Sequence, residues 1–229
     1  LASYMLRWER RATPFGMFAG VTTAALGPAA AKIGTGHRVV VRADAEWLTG
    51  LINQIEQNRA LRMRLTVVTD NTGTIRDGHF IVLRRADLGA RSPGPLREAS
   101  VRLTAPIAYA LDQAVRPQRL AVLADRMSQR FPSAGVDQIH RLLHGLIDGG
   151  FLITSLRPAS TIEDPLNHLI QELRRAGVHE TADEELAEIA DLLDQLEAVN
   201  ARLVEHNTTA DPVRSATLRA EVTDTMRSL

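Results

Sequence analysis

The sequence predicts an α+β fold that combines antiparallel sheets with a winged helix-turn-helix unit and a helical C-terminal segment. Short strand-like runs, bounded by turn residues, dominate the stretch from residue 37 to residue 84. Three helical patterns then lie between two further strands, in the order typical of a winged helix. From residue 164 onward, apolar residues recur almost entirely at helical spacing, which predicts the helical segment.

The first predicted helix lies between predicted strands. Residues 37–42 predict a strand, and Asp44 is placed to cap a helix over 45–57, where apolar residues repeat at helical spacing. Strands follow at 65–68 and at 79–84, on either side of a run of turn residues. These strands supply the antiparallel sheets of the predicted fold.

The winged-helix outline comes next. A strand at 99–103 precedes helices at 106–115, 120–131 and 136–147, and a strand at 151–154 closes the unit. Winged helices most often read DNA, and the third helix carries polar candidates at Gln138, His140, Arg141 and His144. Acidic residues surround them at Asp125, Asp137 and Asp148. A DNA-binding regulator is therefore an alternative function, but the acidic residues around this helix are poorly suited to contact with DNA.

The C-terminal segment predicts helices at 165–175, 181–206 and 212–229. The middle helix carries a continuous apolar stripe, formed by Leu186, Ile189, Leu192, Leu193, Leu196, Val199 and Leu203. Such a stripe is either part of the core or an interface with another body.

Composition is that of an ordinary globular protein. Of 229 residues, 45% are hydrophobic and 24% are charged, and the absence of cysteine excludes disulfides and thiolate metal sites. Neither a run of about 18 apolar residues nor a signal peptide pattern occurs, so we expect a cytoplasmic protein without a membrane span. His140 and His144 are spaced as metal ligands can be, but no third ligand is evident, and no metal site is predicted.

The formal net charge of +0 hides an asymmetry between the two halves. Residues 1–102 hold 15 basic and 8 acidic side chains, whereas residues 103–229 hold 12 basic and 19 acidic ones. Fourteen of the 15 cations in the first half are arginines, which suit contact with phosphate. The two halves are therefore expected to meet different partners.

A pair of arginines near the N-terminus is the clearest candidate site. Arg7 and Arg11 lie four residues apart, on one face of a predicted helix that ends before Pro14 and Gly16. Guanidinium groups are planar forks suited to phosphate and carboxylate, so the pair indicates an anionic partner. The alternative is that these cations only complement the negative end of a short helix.

The longer string from Arg7 through Arg11, with Thr13-Pro14-Phe15-Gly16 and Phe18-Ala19-Gly20-Val21 after it, resembles the signature of the lantibiotic dehydratases. In that family it belongs to the domain that transfers glutamate from glutamyl-tRNA to a precursor peptide. The resemblance implies that this chain is part of a longer enzyme with a separate elimination domain. It divides the chain into a basic part (1–76), a winged-helix leader peptide recognition element (77–156) and a helical segment (157–229).

By resemblance, Arg7, Arg11 and Thr13 are the expected catalytic residues. Arg7 and Arg11, with Arg10 as a weaker candidate, are expected to bind tRNA, and glutamyl-tRNA is a co-substrate without further cofactor. An aminoacyl ester is already activated, so such a site needs positioning and charge stabilisation more than a strong nucleophile. Asp44 either orients an arginine or acts as a base, or it is simply a helix cap.

The resemblance also implies that the winged helix binds a leader peptide, which adds as a strand to a sheet edge. The expected contacts are Val101, Arg102 and Leu103 on the strand, with Leu143 and Leu146 on the third helix unless these two are core. The implied partners are the precursor peptide, glutamyl-tRNA, the elimination domain and a second copy of the full enzyme. A third possibility is an assembly module that binds neither leader nor DNA.

Overall fold

The computed structural model describes residues 25–28, 39–85, 95–180 and 183–229, and the chain divides into two units, residues 1–38 and residues 39–229. The helices of the second unit are α1 (Ala45–Ile55), α2 (Arg59–Arg64), α3 (Ala105–Gln113), α4 (Leu120–Arg130), α5 (Val136–Asp148), α6 (Pro165–Arg175), α7 (Ala187–Thr208) and α8 (Pro212–Ser228). Its strands are β1 (Thr66–Thr69), β2 (Thr74–Arg76), β3 (His79–Arg85), β4 (Leu96–Arg102), β5 (Gln118–Arg119) and β6 (Leu152–Thr154). A 3-10 turn, Glu184–Leu186, precedes α7. No described helix is long and apolar enough to cross a membrane.

The strands form two antiparallel sheets, which confirms the α+β prediction. One sheet has the order β5-β1-β6, with Val67 opposite both Gln118 and Thr154. The other has the order β2-β3-β4. Asp77 and Gly78 form the two-residue turn between β2 and β3, and both have positive φ, as the hairpin turns that match strand twist require.

The winged-helix outline is present in chain order, but its two strands do not pair with each other. β4 pairs with β3, whereas β6 pairs with β1, so the strands before and after the three helices belong to different sheets. β1, which the sequence placed in the first part of the chain, thus completes a sheet with β5 and β6. The three-part division of the chain stays a prediction.

Two hydrophobic cores stabilise the unit. The first joins α1, α2, α6, α7 and α8, and it contains the apolar stripe of α7, with Ile189, Leu193, Leu196, Val199 and Leu203 buried. The second joins β1 and β3 to α3, α4 and α5. The stripe is therefore core within this chain. Because α2 buries Leu61 in the first core while Met63 packs against the second, this short helix lies between the two.

A buried polar network also connects α1 and α2 to the winged-helix elements. Arg62, 3% exposed, donates to the Glu56 carbonyl and to the Asp148 carboxylate, with 2.6 Å between its Nη2 and Oδ1. The Glu56 carboxylate accepts from the Thr154 hydroxyl and from Arg157. These contacts tie α1 and α2 to the end of α5, to β6 and to the loop after it.

The predicted strand at 37–42 is wrong for its described part, residues 39–42, which the structure does not assign to a strand and which pair with none of the described strands. Instead the side-chain amide of Asn207 binds both backbone groups of Val41. The Val41 N–H donates to Asn207 Oδ1 at 2.8 Å, and Asn207 Nδ2 donates to the Val41 carbonyl at 2.9 Å. The segment has the alternation of a strand, but a side chain on α7 satisfies its backbone.

Candidate functional site

The predicted catalytic and tRNA-binding residues Arg7, Arg10, Arg11 and Thr13 lie outside the described residues. Their roles stay predictions. The described part of the chain does contain the predicted peptide-binding strand, the third helix of the winged-helix outline and Asp44.

Strand β4 is an edge of its sheet, with β3 on one side and no described strand on the other. The Leu103 N–H donates to the Gly78 carbonyl at 2.8 Å. This hydrogen bond identifies which residues of β4 are hydrogen-bonded to β3. Since hydrogen-bonded pairs alternate along an antiparallel ladder, Glu98, Ser100 and Arg102 turn their backbone groups away from β3. The Arg102 carbonyl is already taken by the Thr104 N–H. The remaining groups are available to an added strand.

The side chains of β4 divide between the two faces of the sheet. Ala99 and Val101 lie opposite the buried Val82 and Phe80 and pack, half-buried, against the second core. Leu103 does the same just beyond the strand. Ser100 and Arg102 are exposed. An added strand would thus extend an apolar face on one side and a polar face on the other.

The third helix of the winged-helix outline is α5. Its Leu143 and Leu146 are 0% and 2% exposed, so both are core residues and neither presents a surface to a peptide. The neighbouring Leu142 is half-buried and packs at the edge of the same core. Helical periodicity identified the apolar side of α5, but it does not separate core positions from the rim of a groove.

Burial also sets the protonation state of one histidine of α5. The pKa of His144 is lowered to about 4, chiefly because burial disfavours its charged form and also because the Arg62 cation is near. Its Nδ1 has no hydrogen-bond partner among the described residues. His144 is therefore a neutral core residue, which removes it from the set of side chains that a DNA-reading helix would present.

Asp44 caps α1. Its Oδ1 accepts from the backbone N–H groups of Glu46 at 2.9 Å and Trp47 at 3.0 Å. The cap explanation of this residue is thus present in the structure. Asp44 also lies at the rim of a cavity of about 710 Å³ between α1, α7 and α8, whose walls include Trp47, Leu203 and Met226.

His206, which was not predicted from the sequence, lines this cavity. It is 3% exposed, and its Nδ1 lies 3.0 Å from Oδ1 of its neighbour Asn207. Both ends of the Asn207 amide are fixed by Val41, so its oxygen faces the imidazole, which assigns the proton to Nδ1; Nε2 has no hydrogen-bond partner among the described residues. Nothing in the sequence indicates that Asn207 contacts Val41, which lies 166 residues earlier.

Comparison with known families identifies the class of protein. A family described as lantibiotic dehydratase, N terminus, matches residues 1–229, and the chain belongs to this family. It is 27% identical over 207 residues to the subtilin biosynthesis protein SpaB of Bacillus subtilis, a match that covers 87% of this chain and 18% of that protein. The crystal structure of the tRNA-dependent lantibiotic dehydratase MibB from Microbispora sp. 107891 is similar, with a TM-score of 0.71 and 31% identity. That match covers 85% of this chain and 18% of MibB, so the chain spans about a fifth of either relative.

Two substitutions at Asp44 separate its cap from any catalytic role. Asparagine caps helices about as well as aspartate, whereas alanine costs about 1 kcal/mol. We expect Asp44→Asn to retain thermal stability and Asp44→Ala to lower it, and thermal unfolding measures both. If the function proposed below is correct, Asp44→Asn should also retain it in the intact enzyme. Function lost in Asp44→Asn at unchanged stability would instead assign a role to the carboxylate.

Proposed function

We propose that this chain is part of a lanthipeptide or thiopeptide dehydratase that transfers glutamate from glutamyl-tRNA to Ser or Thr of a precursor peptide. Membership of the lantibiotic dehydratase family carries the proposal. The similarity to MibB, which is tRNA-dependent, supports the choice of co-substrate. Its partners are then the precursor peptide, glutamyl-tRNA, the elimination domain and a second copy of the full enzyme, and its setting is the cytoplasm.

In the proposed reaction the peptide hydroxyl attacks the carbonyl carbon of the glutamyl ester. The ester bond to the tRNA ribose breaks, and the ribose oxygen leaves with a proton. Arg7 and Arg11 hold tRNA phosphate or the glutamyl carboxylate, Thr13 donates a hydrogen bond, and Arg10 adds to tRNA binding. Positioning and charge stabilisation supply the rate, because the ester is activated before it arrives.

The leader of the precursor peptide is proposed to add to β4 as a fourth strand of the β2-β3-β4 sheet. Backbone groups of Glu98, Ser100 and the Arg102 N–H give the strand its hydrogen bonds, as the ladder phase requires. Alternate leader side chains then pack beside Val101 and Leu103, which are half-buried. Leu142, rather than the buried Leu143 and Leu146, is the apolar residue of α5 at the rim of that core.

A proline placed in β4 tests this mode. We expect Ser100→Pro to weaken leader binding about tenfold, because proline removes the edge N–H and its ring blocks the approach of a strand. The fold should survive, since proline is tolerated where an edge N–H faces solvent. Fluorescence anisotropy with a labelled leader peptide measures the effect, and circular dichroism monitors the fold.

The matched control is Ser100→Ala, which removes the hydroxyl but keeps the N–H and should bind the leader like the parent protein. N-methylation along the leader provides an independent check from the peptide side. Strand addition predicts that every second methyl group weakens binding, because only alternate N–H groups face β4. Leader binding that tolerates both Ser100→Pro and the methylated leaders would refute strand addition. Tight binding of the protein to duplex DNA would favour the alternative function, a DNA-binding regulator.

A further inference from the structure

A second, smaller cavity of about 230 Å³ lies where the β5-β1-β6 sheet meets the end of α6. Three arginines from three different elements line it: Arg64 at the end of α2, Arg119 on β5 and Arg175 at the end of α6. Ser155 and Glu172 complete the set, which we call the arginine notch. None of the functions proposed above uses it.

The notch carries an excess of positive charge. Glu172 is 8% exposed and pairs with Arg175, so one carboxylate faces three guanidinium groups. Arg64 donates to the Ala176 carbonyl, with 3.4 Å between nitrogen and oxygen, and so partly neutralises the end of α6. Three cations against one carboxylate among the lining side chains favour an anion as the ligand of this cavity.

Arg119 holds the cation that is most available to a ligand. Its backbone pairs with Thr66, but within the described chain its guanidinium makes no hydrogen bond or ion pair, and the side chain is exposed at the rim. Arginine in this position presents a planar fork of donors toward the mouth of the cavity. Such forks bind the oxygens of phosphate in pairs.

Ser155 supplies an unsatisfied donor. Its backbone N–H donates to the Thr66 carbonyl at 2.8 Å, and its carbonyl lies 2.8 Å from His168 Nε2. Its side-chain Oγ is buried and has no hydrogen-bond partner among the described residues. Leaving a buried hydroxyl unpaired costs free energy, which a ligand oxygen would recover. Because the Oγ itself has almost no accessible surface, the Ser155 side chain must turn about its Cα–Cβ bond before a ligand oxygen in the notch can accept from it.

We propose that the arginine notch binds one backbone phosphate of a tRNA, an inference that rests on the proposed use of glutamyl-tRNA. A phosphate oxygen accepts from the Ser155 hydroxyl, and other oxygens accept from Arg119 and Arg64. Tetrahedral phosphate suits donors that approach from three elements better than a planar carboxylate does. Arg119 and Arg175 are exposed, so the notch can be reached from solvent by a phosphate of a polynucleotide.

The experiment measures tRNA binding to the intact protein over a series of salt concentrations. We expect Arg119→Gln to weaken binding about three- to tenfold and to reduce the salt slope by about one, as the loss of one phosphate contact predicts. Arg116→Gln is the matched control, because Arg116 is also exposed, lies three residues away and does not line the notch. Equal losses in the two variants would indicate diffuse electrostatics and overturn the notch, while the tRNA proposal would stand.

Ser155→Ala provides a second test, whose expected result a purely structural role of Ser155 would not produce. Removing an unpaired buried hydroxyl should leave stability unchanged or raise it, yet the same change should weaken tRNA binding. Unchanged binding in both Ser155→Ala and Arg119→Gln would refute the site.

Inorganic phosphate separates this inference from the proposed function. At matched ionic strength, phosphate should raise the melting temperature of the parent protein relative to chloride, and Arg119→Gln should abolish the difference. A phosphate effect without tRNA binding would keep the notch as a site for free phosphate and reject its polynucleotide ligand along with the tRNA proposal. Neither tRNA binding nor a phosphate effect would reject the notch altogether.

Discussion

Replacing Arg7 or Arg11 by alanine in the intact enzyme should abolish glutamylation of the precursor peptide while leader binding is unchanged. Removing a donor that stabilises developing charge costs about 100- to 1,000-fold in rate, and these two arginines are proposed to hold the tRNA phosphate or the glutamyl carboxylate. Mass spectrometry of the peptide after incubation with glutamyl-tRNA measures the reaction, and anisotropy measures leader binding.

Arg10→Ala is the comparison variant for this experiment, because Arg10 is proposed only to add to tRNA binding, whereas Arg7 and Arg11 are proposed to act in the reaction itself. It should lower activity less than either of the other changes. Lysine at position 7 or 11 should rescue only in part, since it keeps the charge but lacks the paired donors of the guanidinium. Normal glutamylation in both alanine variants would remove the arginine pair from the reaction.

Local sequence signals predicted the elements whose causes are local. Asp44 acts as the cap that its position before α1 indicated, because capping depends on a side chain and the N–H groups two and three residues later. The Asp77-Gly78 turn was not predicted, although its cause is also local, because both residues have positive φ. Helix α6 spans Pro165–Arg175, the range that its periodicity and Pro165 predicted.

Features that depend on distant residues were not predictable in this way. The backbone of Val41 is satisfied by Asn207, 166 residues later, so a sequence that alternates like a strand pairs with a side chain instead. Helix α2, six residues long, is too short for periodicity to reveal. The arginine notch was not predictable either, because its cations come from three elements that are far apart in sequence.

The edge of β4, where we propose that the leader peptide binds, lies between these cases. Alternation identified the strand that contains Val101 and Arg102, and the structure places both on β4 with opposite faces. Alternation alone does not tell which backbone groups face the open edge, because that depends on the phase of the ladder with β3. On α5, the burial of Leu143 and Leu146 follows from packing against α4, which the sequence of α5 does not contain.

Removing the carboxylate of Asp148 should destabilise the protein more than replacing its partner Arg62 by methionine. Arg62 is 3% exposed and cannot lose its proton, so Asp148→Ala leaves a buried cation with only backbone carbonyls as partners. Breaking a fully buried pair in this way costs about 3–5 kcal/mol, and the half-exposed position of Asp148 places the loss here at the lower end of that range. In Arg62→Met the Asp148 side chain, 54% exposed, is rehydrated, and methionine fills most of the volume. The expected loss is then smaller, about 1–2 kcal/mol.

Urea unfolding of the parent protein, both single variants and the double variant measures this asymmetry. The loss of stability in the double variant should be smaller than the sum of the two single losses, because the contact between the two side chains is lost in each single variant. Glu98→Ala is the matched control: it breaks a pair with Arg76 in which both side chains are more than half exposed, and it should change stability by less than about 1 kcal/mol. If Asp148→Ala cost no more than Glu98→Ala, the Arg62 cation would be stabilised by other groups. The link from α2 to α5 would then rest on the hydrophobic cores rather than on this ion pair.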